Sequence, residues 1–278
     1  MTDPITGTAK DIGKLAIQIT ANDLASAGAE PIGVMLTILL PDGTREIALK
    51  RIMEQMECAC REAKMQILGG HTEVTAVVNQ PVVNVAGVAK AKKGSLISTA
   101  GARAGMDIVV SKWVGIEGTM IFAKEKEAEL KEHFPADFVD TAIGFDRYLS
   151  VVPEAAVATQ SSVAAMHDVT EGGLFGALWE MAEASGVGLE IDLKKIPIRQ
   201  ETVEICEYFD VNPYGLISSG MMLMASADGN ALVLALQEAG IPATVIGKAT
   251  EGNDRVIIRD EERRFLEPPK TDELYKVL

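Results

Sequence analysis

Cysteine is scarce in this chain: 278 residues contain three, Cys58, Cys60 and Cys206. That is too few for a disulfide framework and fits a reducing compartment. Cys58 and Cys60 are two apart on a predicted helix, roughly 200° around its axis, so they cannot face one metal and read as structural. Aromatic residues are few as well, 5% against 12 methionines, which predicts a core of flexible aliphatic side chains. Long apolar runs are missing. Those present are strand-sized, and no charged start followed by an apolar stretch marks a leader, so a cytoplasmic protein with no membrane span is expected. Basic residues are outnumbered, 26 against 40 acidic, for a net charge of −14. This argues against a non-specific nucleic-acid binder or a protein of anionic membranes. A phosphate ligand stays open, because helix termini and Mg²⁺ supply local positive potential. No Cys/His spacing suits zinc, and the three histidines (His71, His133, His167) support no Ser-His-Asp arrangement.

What remains is the balance of a soluble globular protein, 47% hydrophobic and 24% charged, long enough for two packed domains or one large one. The periodicity predicts a helix over 11–27, a buried strand over 32–40 closed by Pro41-Asp42-Gly43, and a second helix carrying Leu49, Ile52, Met53, Met56 and Cys60 on one face. A short strand over 65–68, a loop over 69–73 and a strand over 82–91 follow. The segment 92–105, rich in Lys, Ser, Gly and Ala, has no sustained period, and a domain boundary is expected near residue 100. That gives domains 1–100 and 101–278. The second part again mixes the two kinds of element, with a glycine loop at 115–118, a strand over 163–166 and an amphipathic helix over 174–185. The fold class is α/β or α+β.

Polar residues stand out where the surroundings are apolar. His167-Asp168-Val169-Thr170-Glu171-Gly172-Gly173 lies where a strand hands over to a helix. A helix N-terminus offers unpaired N–H groups and the positive end of the dipole, and glycines let a phosphate-sized group come close. A helix capped by Thr170 with a glycine turn would account for the same residues. Asn22 and Asp23 continue the stripe of Ile12, Leu15, Ala16 and Ile19, so Asp23 is expected to be sheltered and to need a cation, a metal or N–H donors; a helix-ending polar pair is the other reading. Gly69-Gly70-His71-Thr72-Glu73 suits a ligand-binding loop after a strand, or an ordinary turn. Asp3, in Asp-Pro, says little alone. Together, Asp3, Asp23 and Glu73 would offer hard oxygens of the kind Mg²⁺ takes, with substrate phosphates completing the shell.

In this order, these islands resemble the aminoimidazole ribonucleotide (AIR) synthetase superfamily, which includes selenophosphate synthetase, thiamine monophosphate kinase and the hydrogenase maturation factor that dehydrates a carbamoyl thioester. The resemblance runs through Thr2-Asp3-Pro4, 11–16, 22–31, 69–73, Asp168-Val169-Thr170-Glu171-Gly172-Gly173, 183–186 and Ser218-Ser219-Gly220. It is nearest to the maturation-factor branch. It implies an N-terminal domain that pairs with a second subunit into a shared β-barrel, a C-terminal α/β domain, and ATP in the cleft between them. It implies phosphorylation of an oxygen, often amide-type, of a small-molecule substrate. By position, Asp3 and Asp23 match family aspartates that hold Mg²⁺ and phosphates, and Asn22, Gly70 and Thr72 match the nucleotide shell. Asp168, Thr170, Gly172 and Gly173 match the motif facing the cleft, with Asp168 and His71 as the catalytic candidates.

Two departures accompany the resemblance. Relatives carry a glycine-rich segment ending in an acidic pair ahead of the Thr-Asp element, and this sequence starts at that element. On this reading either the sequence is cut short or part of the ATP site is lost. The carbamoyl-dehydrating factor uses a C-terminal cysteine as carrier, and here no cysteine follows Cys206. A non-catalytic dimeric relative that binds a nucleotide or a partner protein is the alternative to an ATP-dependent enzyme.

Overall fold

The structure is a computed structural model and describes residues 11–268 and 271–278. The described residues divide into two compact units, one formed by 11–25 and 29–95, the other by 26–28, 96–268 and 271–278.

The first unit contains α1 (Ile12–Ser26), β1 (Glu30–Leu40), α2 (Glu46–Glu62), β2 (Gln66–Val74) and β3 (Val82–Lys90). Its sheet has the order β2-β1-β3, with β1 parallel to β2 and antiparallel to β3. Alternation is clear in β1: Val34, Leu36, Ile38 and Leu40 are buried, while Met35 is half exposed. The other face of this strand, with Ile32 and Met35, is apolar too but left exposed. On α2 the buried stripe is Ile52, Met56, Ala59 and Cys60, and the other side carries the ion pairs Lys50–Glu46 (2.8 Å) and Arg61–Glu57 (3.1 Å). α1 meets α2 where the Gly13 N–H donates to Gln55 Oε1 at 3.1 Å.

In the second unit the elements are β4 (Asp107–Ser111), α3 (Ile116–Glu125), α4 (Glu127–His133), α5 (Ala136–Ile143), α6 (Val152–Ala158), β5 (Val163–Val169), α7 (Gly173–Ser185), β6 (Gly188–Asp192), α8 (Gln200–Tyr208), β7 (Met221–Ser226), α9 (Gly229–Glu238), β8 (Ala243–Thr250), β9 (Arg255–Arg259) and β10 (Glu262–Phe265). One seven-stranded sheet runs β10-β9-β6-β8-β4-β7-β5, antiparallel throughout except for β6 beside β9. Its core joins Ile108, Val110, Val169, Leu174, Leu178, Met181, Leu223 and Ile246. The strand β7 (Met-Met-Leu-Met-Ala-Ser) is buried at every position, which an alternating strand would not be. Burying Lys112 pushes its ammonium pKa down, yet it is fully partnered, by Glu154 at 2.7 Å and the Tyr148 carbonyl at 2.9 Å, and so fastens the end of β4 to α6. Cys60 and Cys206 are buried and Cys58 is exposed. Burial raises the Cys60 thiol and pushes Cys206 up to about 12, so neither is a thiolate at neutral pH. Among the described residues no helix is long and apolar enough to cross a membrane.

Candidate functional site

The polar residues of the first unit lie on two elements. Asn22 is completely buried and accepts from Gln18 Nε2 at 3.2 Å, one helical turn back. Asp23 is exposed, contrary to the sheltered position expected for it. The reason is phase: the buried face of α1 centres on Ile17 and Ala21, both fully buried, and Ile19, taken as part of the stripe, is only partly covered. Asp23 therefore stands at the edge of that face, where an ionised carboxylate costs little.

The segment 69–73 is not a loop. It is the body of β2, and Gly70, His71, Thr72 and Glu73 pair in register with Leu36, Thr37, Ile38 and Leu39. Glycines are poor strand formers, but here one is required by close approach: a Cβ at Gly70 would lie 2.1 Å from the Leu36 carbonyl oxygen. Alternation puts Gly70 and Thr72 on one face and His71 and Glu73 on the other, where His71 Nε2 lies 3.3 Å from Glu73 Oε2. All four residues are exposed. Asp3 lies outside the described residues. Among the described residues no group of three or more His, Cys, Asp or Glu side chains could hold a metal ion by itself. The exposed Asp23 carboxylate fits the sparser set Mg²⁺ uses beside phosphates, one or two protein oxygens.

In the second unit β5 continues through Val169, three residues beyond its expected end, so Asp168 sits within the strand. It is 6% exposed, and its Oδ2 has no hydrogen-bond partner. The residue before α7 is Gly172, in the left-handed region at φ 79°, rather than Thr170. Thr170 contributes its carbonyl, which accepts from the Gly173 N–H at 3.0 Å. Gly173 also has positive φ (60°), and a Cβ there would lie 2.6 Å from the Tyr214 carbonyl oxygen and 2.7 Å from that of Leu216. The turn before α7 is thus pressed against the segment Tyr214–Gly220.

That segment and its neighbours hold residues the sequence reading passed over. Antiparallel pairing of Asp168 with Met222 brings the end of β5 beside the Ser218-Ser219-Gly220 turn. The Ser218 hydroxyl accepts from the Gly115 N–H at 2.7 Å, and the Ile217 carbonyl accepts from the Gly118 N–H at 3.0 Å, locking the turn to the start of α3. Between these two contacts is Glu117, completely buried, with neither carboxylate oxygen in a hydrogen bond of good geometry. Burial pushes its pKa from 4.5 up to about 7; the Ser219 hydroxyl and N–H alongside hold it down in part, and the Asp272 and Glu171 charges raise it further. Five buried side-chain atoms of the described residues lack a partner, and four belong to Glu117, Asp168 and Ser219. Each such group costs about 1–3 kcal/mol unless something completes it, so the cluster is where a ligand would be stabilising. One signal was legible: Glu117 is the only charge in the run from Gly115 to Ala123.

Asp272 closes the other side. Its carboxylate accepts from the N–H groups of Gly172 (2.7 Å), Ile217 (3.2 Å) and Leu274 (2.8 Å), and is only 5% exposed. Burial raises its pKa, against the three N–H groups that lower it. Tyr275 Oη donates to Glu171 Oε1 at 3.1 Å. The open anion seat expected at the start of α7 is thus corrected: the Gly172 N–H is already capped by an acid of the same chain. Glu117, Ser219 and Asp272 bring buried oxygens of one charge sign together, a setting that raises the carboxyl pKa values and so favours groups that carry a proton near neutral pH.

Residues 103–260 match the AIR synthase related protein C-terminal domain family, and residues 1–91 match its N-terminal domain. A Methanocaldococcus jannaschii protein named for hydrogenase expression/formation is 30% identical over 279 residues, covering 99% of this chain and 81% of its own length. The carbamoyl dehydratase HypE of Cupriavidus necator is 32% identical over 247 residues, covering 87% of this chain and 68% of its own. In three dimensions the chain is similar to hydrogenase maturation protein HypE solved in complex with ATP (TM-score 0.82, 22% identity, 98% of this chain and 84% of that one). It is also similar to thiamine monophosphate kinase from Aquifex aeolicus (TM-score 0.74, 21% identity, 92% and 82%).

Proposed function

Since the chain belongs to the AIR synthase-related family and has its two-domain mixed α/β fold, we propose that it is an ATP- and Mg²⁺-dependent enzyme. In this reading it phosphorylates an amide-, carbonyl- or phosphate-type oxygen of a small metabolite or maturation intermediate. The observation that carries the reading is the buried Oδ2 of Asp168 near the end of β5, which has no hydrogen-bond partner among the described residues. Structural carboxylates are normally satisfied; this group is left for a substrate. In the proposed step the substrate oxygen forms a bond to the terminal phosphorus of ATP as the bond to ADP breaks, and the phosphorylated oxygen can then leave as phosphate. Asp168 is assigned to accept the proton that the substrate gives up, and Thr170, Gly172 and Gly173 to face the reacting group. In the first unit Asn22, Asp23, Gly70 and Thr72 are assigned to the nucleotide, with Asp3 as a second metal ligand and His71 as a further catalytic candidate. When bound, Mg²⁺ would neutralise phosphate charge at Asp23.

Relatives by sequence are named as enzymes, which favours catalysis over a non-catalytic scaffold. A protein of this fold was solved with ATP, which supports the choice of nucleotide. We further assign a homodimer formed through the first unit, because β2 is an exposed edge and Met35, Leu68, Val74 and Val88 are 42–55% exposed. A monomer by sedimentation at micromolar concentration would remove that assignment.

The test is calorimetric titration with ATP and Mg²⁺. Binding should be present in the wild type and lost in Asp23→Asn with the melting temperature unchanged, while Asp168→Asn should bind but release no ADP. A wild type that binds no nucleotide, or an Asp23→Asn protein that binds as well as the wild type, overturns the reading.

A further inference from the structure

A carboxylate that accepts from the N–H groups of two separate segments occupies the position a bound oxyanion would take. Gly172 belongs to the turn before α7 and Ile217 to the turn before β7; Asp272 reaches both across 100 and 55 residues of sequence. What distinguishes this place from an ordinary capped helix is the wall beside it. The Glu117 carboxyl and the Ser219 hydroxyl are 0% and 2% exposed, and beyond lying alongside each other neither makes a hydrogen bond of good geometry among the described residues. A protonated carboxyl and a hydroxyl are both donors, and in a buried site they suit an acceptor that brings its own lone pairs.

We propose that the second unit carries an oxyanion seat, made by the Gly172 and Ile217 N–H groups beside Glu117 and Ser219, which the chain's own Asp272 fills until a carboxylate or phosphoryl group of the substrate displaces it. The inference rests on the reading of this unit as the substrate side of the enzyme, and it names the substrate class: an acid whose oxyanion resembles a carboxylate in size and charge. Asp272 is thereby an internal competitor. The segment bearing it is anchored by burial of Leu274, by Asn212 N–H donating to Glu273 Oε2 at 3.0 Å, by the Tyr275–Glu171 hydrogen bond and by the N–H bonds to Asp272 itself, which an incoming oxyanion would take over.

Glu117 sets the conditions under which displacement succeeds. The charged groups facing it are Asp272 from the C-terminal segment and Glu171 from the turn before α7; the Ser219 turn brings only its hydroxyl and N–H. Protonated, Glu117 donates to an incoming oxyanion. Ionised, it repels both the ligand and Asp272. Binding therefore weakens as pH rises through neutrality, even for an anion whose own charge is constant.

The experiment uses the whole chain and two probes, sulfate for a phosphoryl group and acetate for a carboxylate, followed by the amide resonances of Gly172 and Ile217. Asp272→Ala and the near-isosteric Asp272→Asn should bind at least one probe about tenfold tighter than the wild type, roughly 1.4 kcal/mol. Whichever probe binds tighter identifies the acid group. In the Asp272→Asn background sulfate affinity should fall between pH 6 and pH 8, and adding Glu117→Gln should abolish that fall, since an amide donates without titrating. If Asp272→Ala does not fold, Asp272→Asn decides; if neither folds, wild-type resonances that stay still at the highest tolerated sulfate and acetate concentrations overturn the proposal. So does a folded variant whose Gly172 and Ile217 amides ignore both probes, which leaves Asp272 as a structural cap. Failure of ATP binding in the first unit would not move these resonances, so the two readings fail separately.

Discussion

Two glycine pairs, each followed by polar residues, end in opposite environments. Gly69-Gly70 and the His71, Thr72 and Glu73 that follow form an exposed edge strand. Gly172-Gly173 form a left-handed turn between β5, with the buried Asp168, and α7, in the unit that also buries Glu117 and Ser219. Water satisfies the first set whatever else binds; in the second, oxygens of Glu117, Asp168 and Ser219 lack a hydrogen bond of good geometry among the described residues. Similar local sequence therefore carries different weight, and burial without well-made hydrogen bonds is the property on which the proposed ligand site of the second rests.

The largest effect that would test this contrast is at Gly173. Gly173→Ala must adopt positive φ and push a Cβ against the carbonyls of Tyr214 and Leu216, so it should destabilise the second unit by about 3 kcal/mol or more, read from denaturant midpoints. Gly70→Ala meets an even closer carbonyl, that of Leu36, but on an edge strand that can move aside; about 1–2 kcal/mol is expected. Equal losses at the two sites would erase the difference.

Glu117→Gln ranks between them and has a pH signature. In the wild type the folded state holds the Glu117 proton up to about pH 7, whereas an unperturbed glutamate loses it near 4.5. Stability from this group is complete below pH 4.5 and declines as pH rises to about 7, by about 3 kcal/mol in total. Glu117→Gln should flatten that decline and be the more stable protein at pH 8. Parallel curves for the two proteins would mean that Glu117 is charged in the fold or that a partner neutralises it. The smallest effect belongs to His71→Ala, which breaks only the exposed His71–Glu73 contact and should cost under about 0.5 kcal/mol. A larger loss would show that the exposed strand is covered in solution, as the homodimer requires.

Much of the fold was legible because periodicity survives where one face is buried. α2 and α7 were placed from their apolar stripes, and the turn before α7 from its glycines. β2 was not, since strand propensity disfavours Gly-Gly and the parallel ladder with β1 that overrides it is set by a distant segment. Asp23 was put on the wrong side by reading Ile19 as core, a small error of phase that moves a carboxylate from shelter to surface. Glu117 escaped because Ile116 to Ala123 are all buried, which removes the contrast between faces that periodicity detects. Asp272 had no local signature: its meaning comes from Gly172, 100 positions away.

Of the three thiols, only Cys58 is exposed. The chain is in effect a single-cysteine protein for maleimide chemistry under native conditions. A fluorophore on α2 would then report from the first unit without any cysteine being removed, and it could follow nucleotide addition independently of the amide resonances that report on the second.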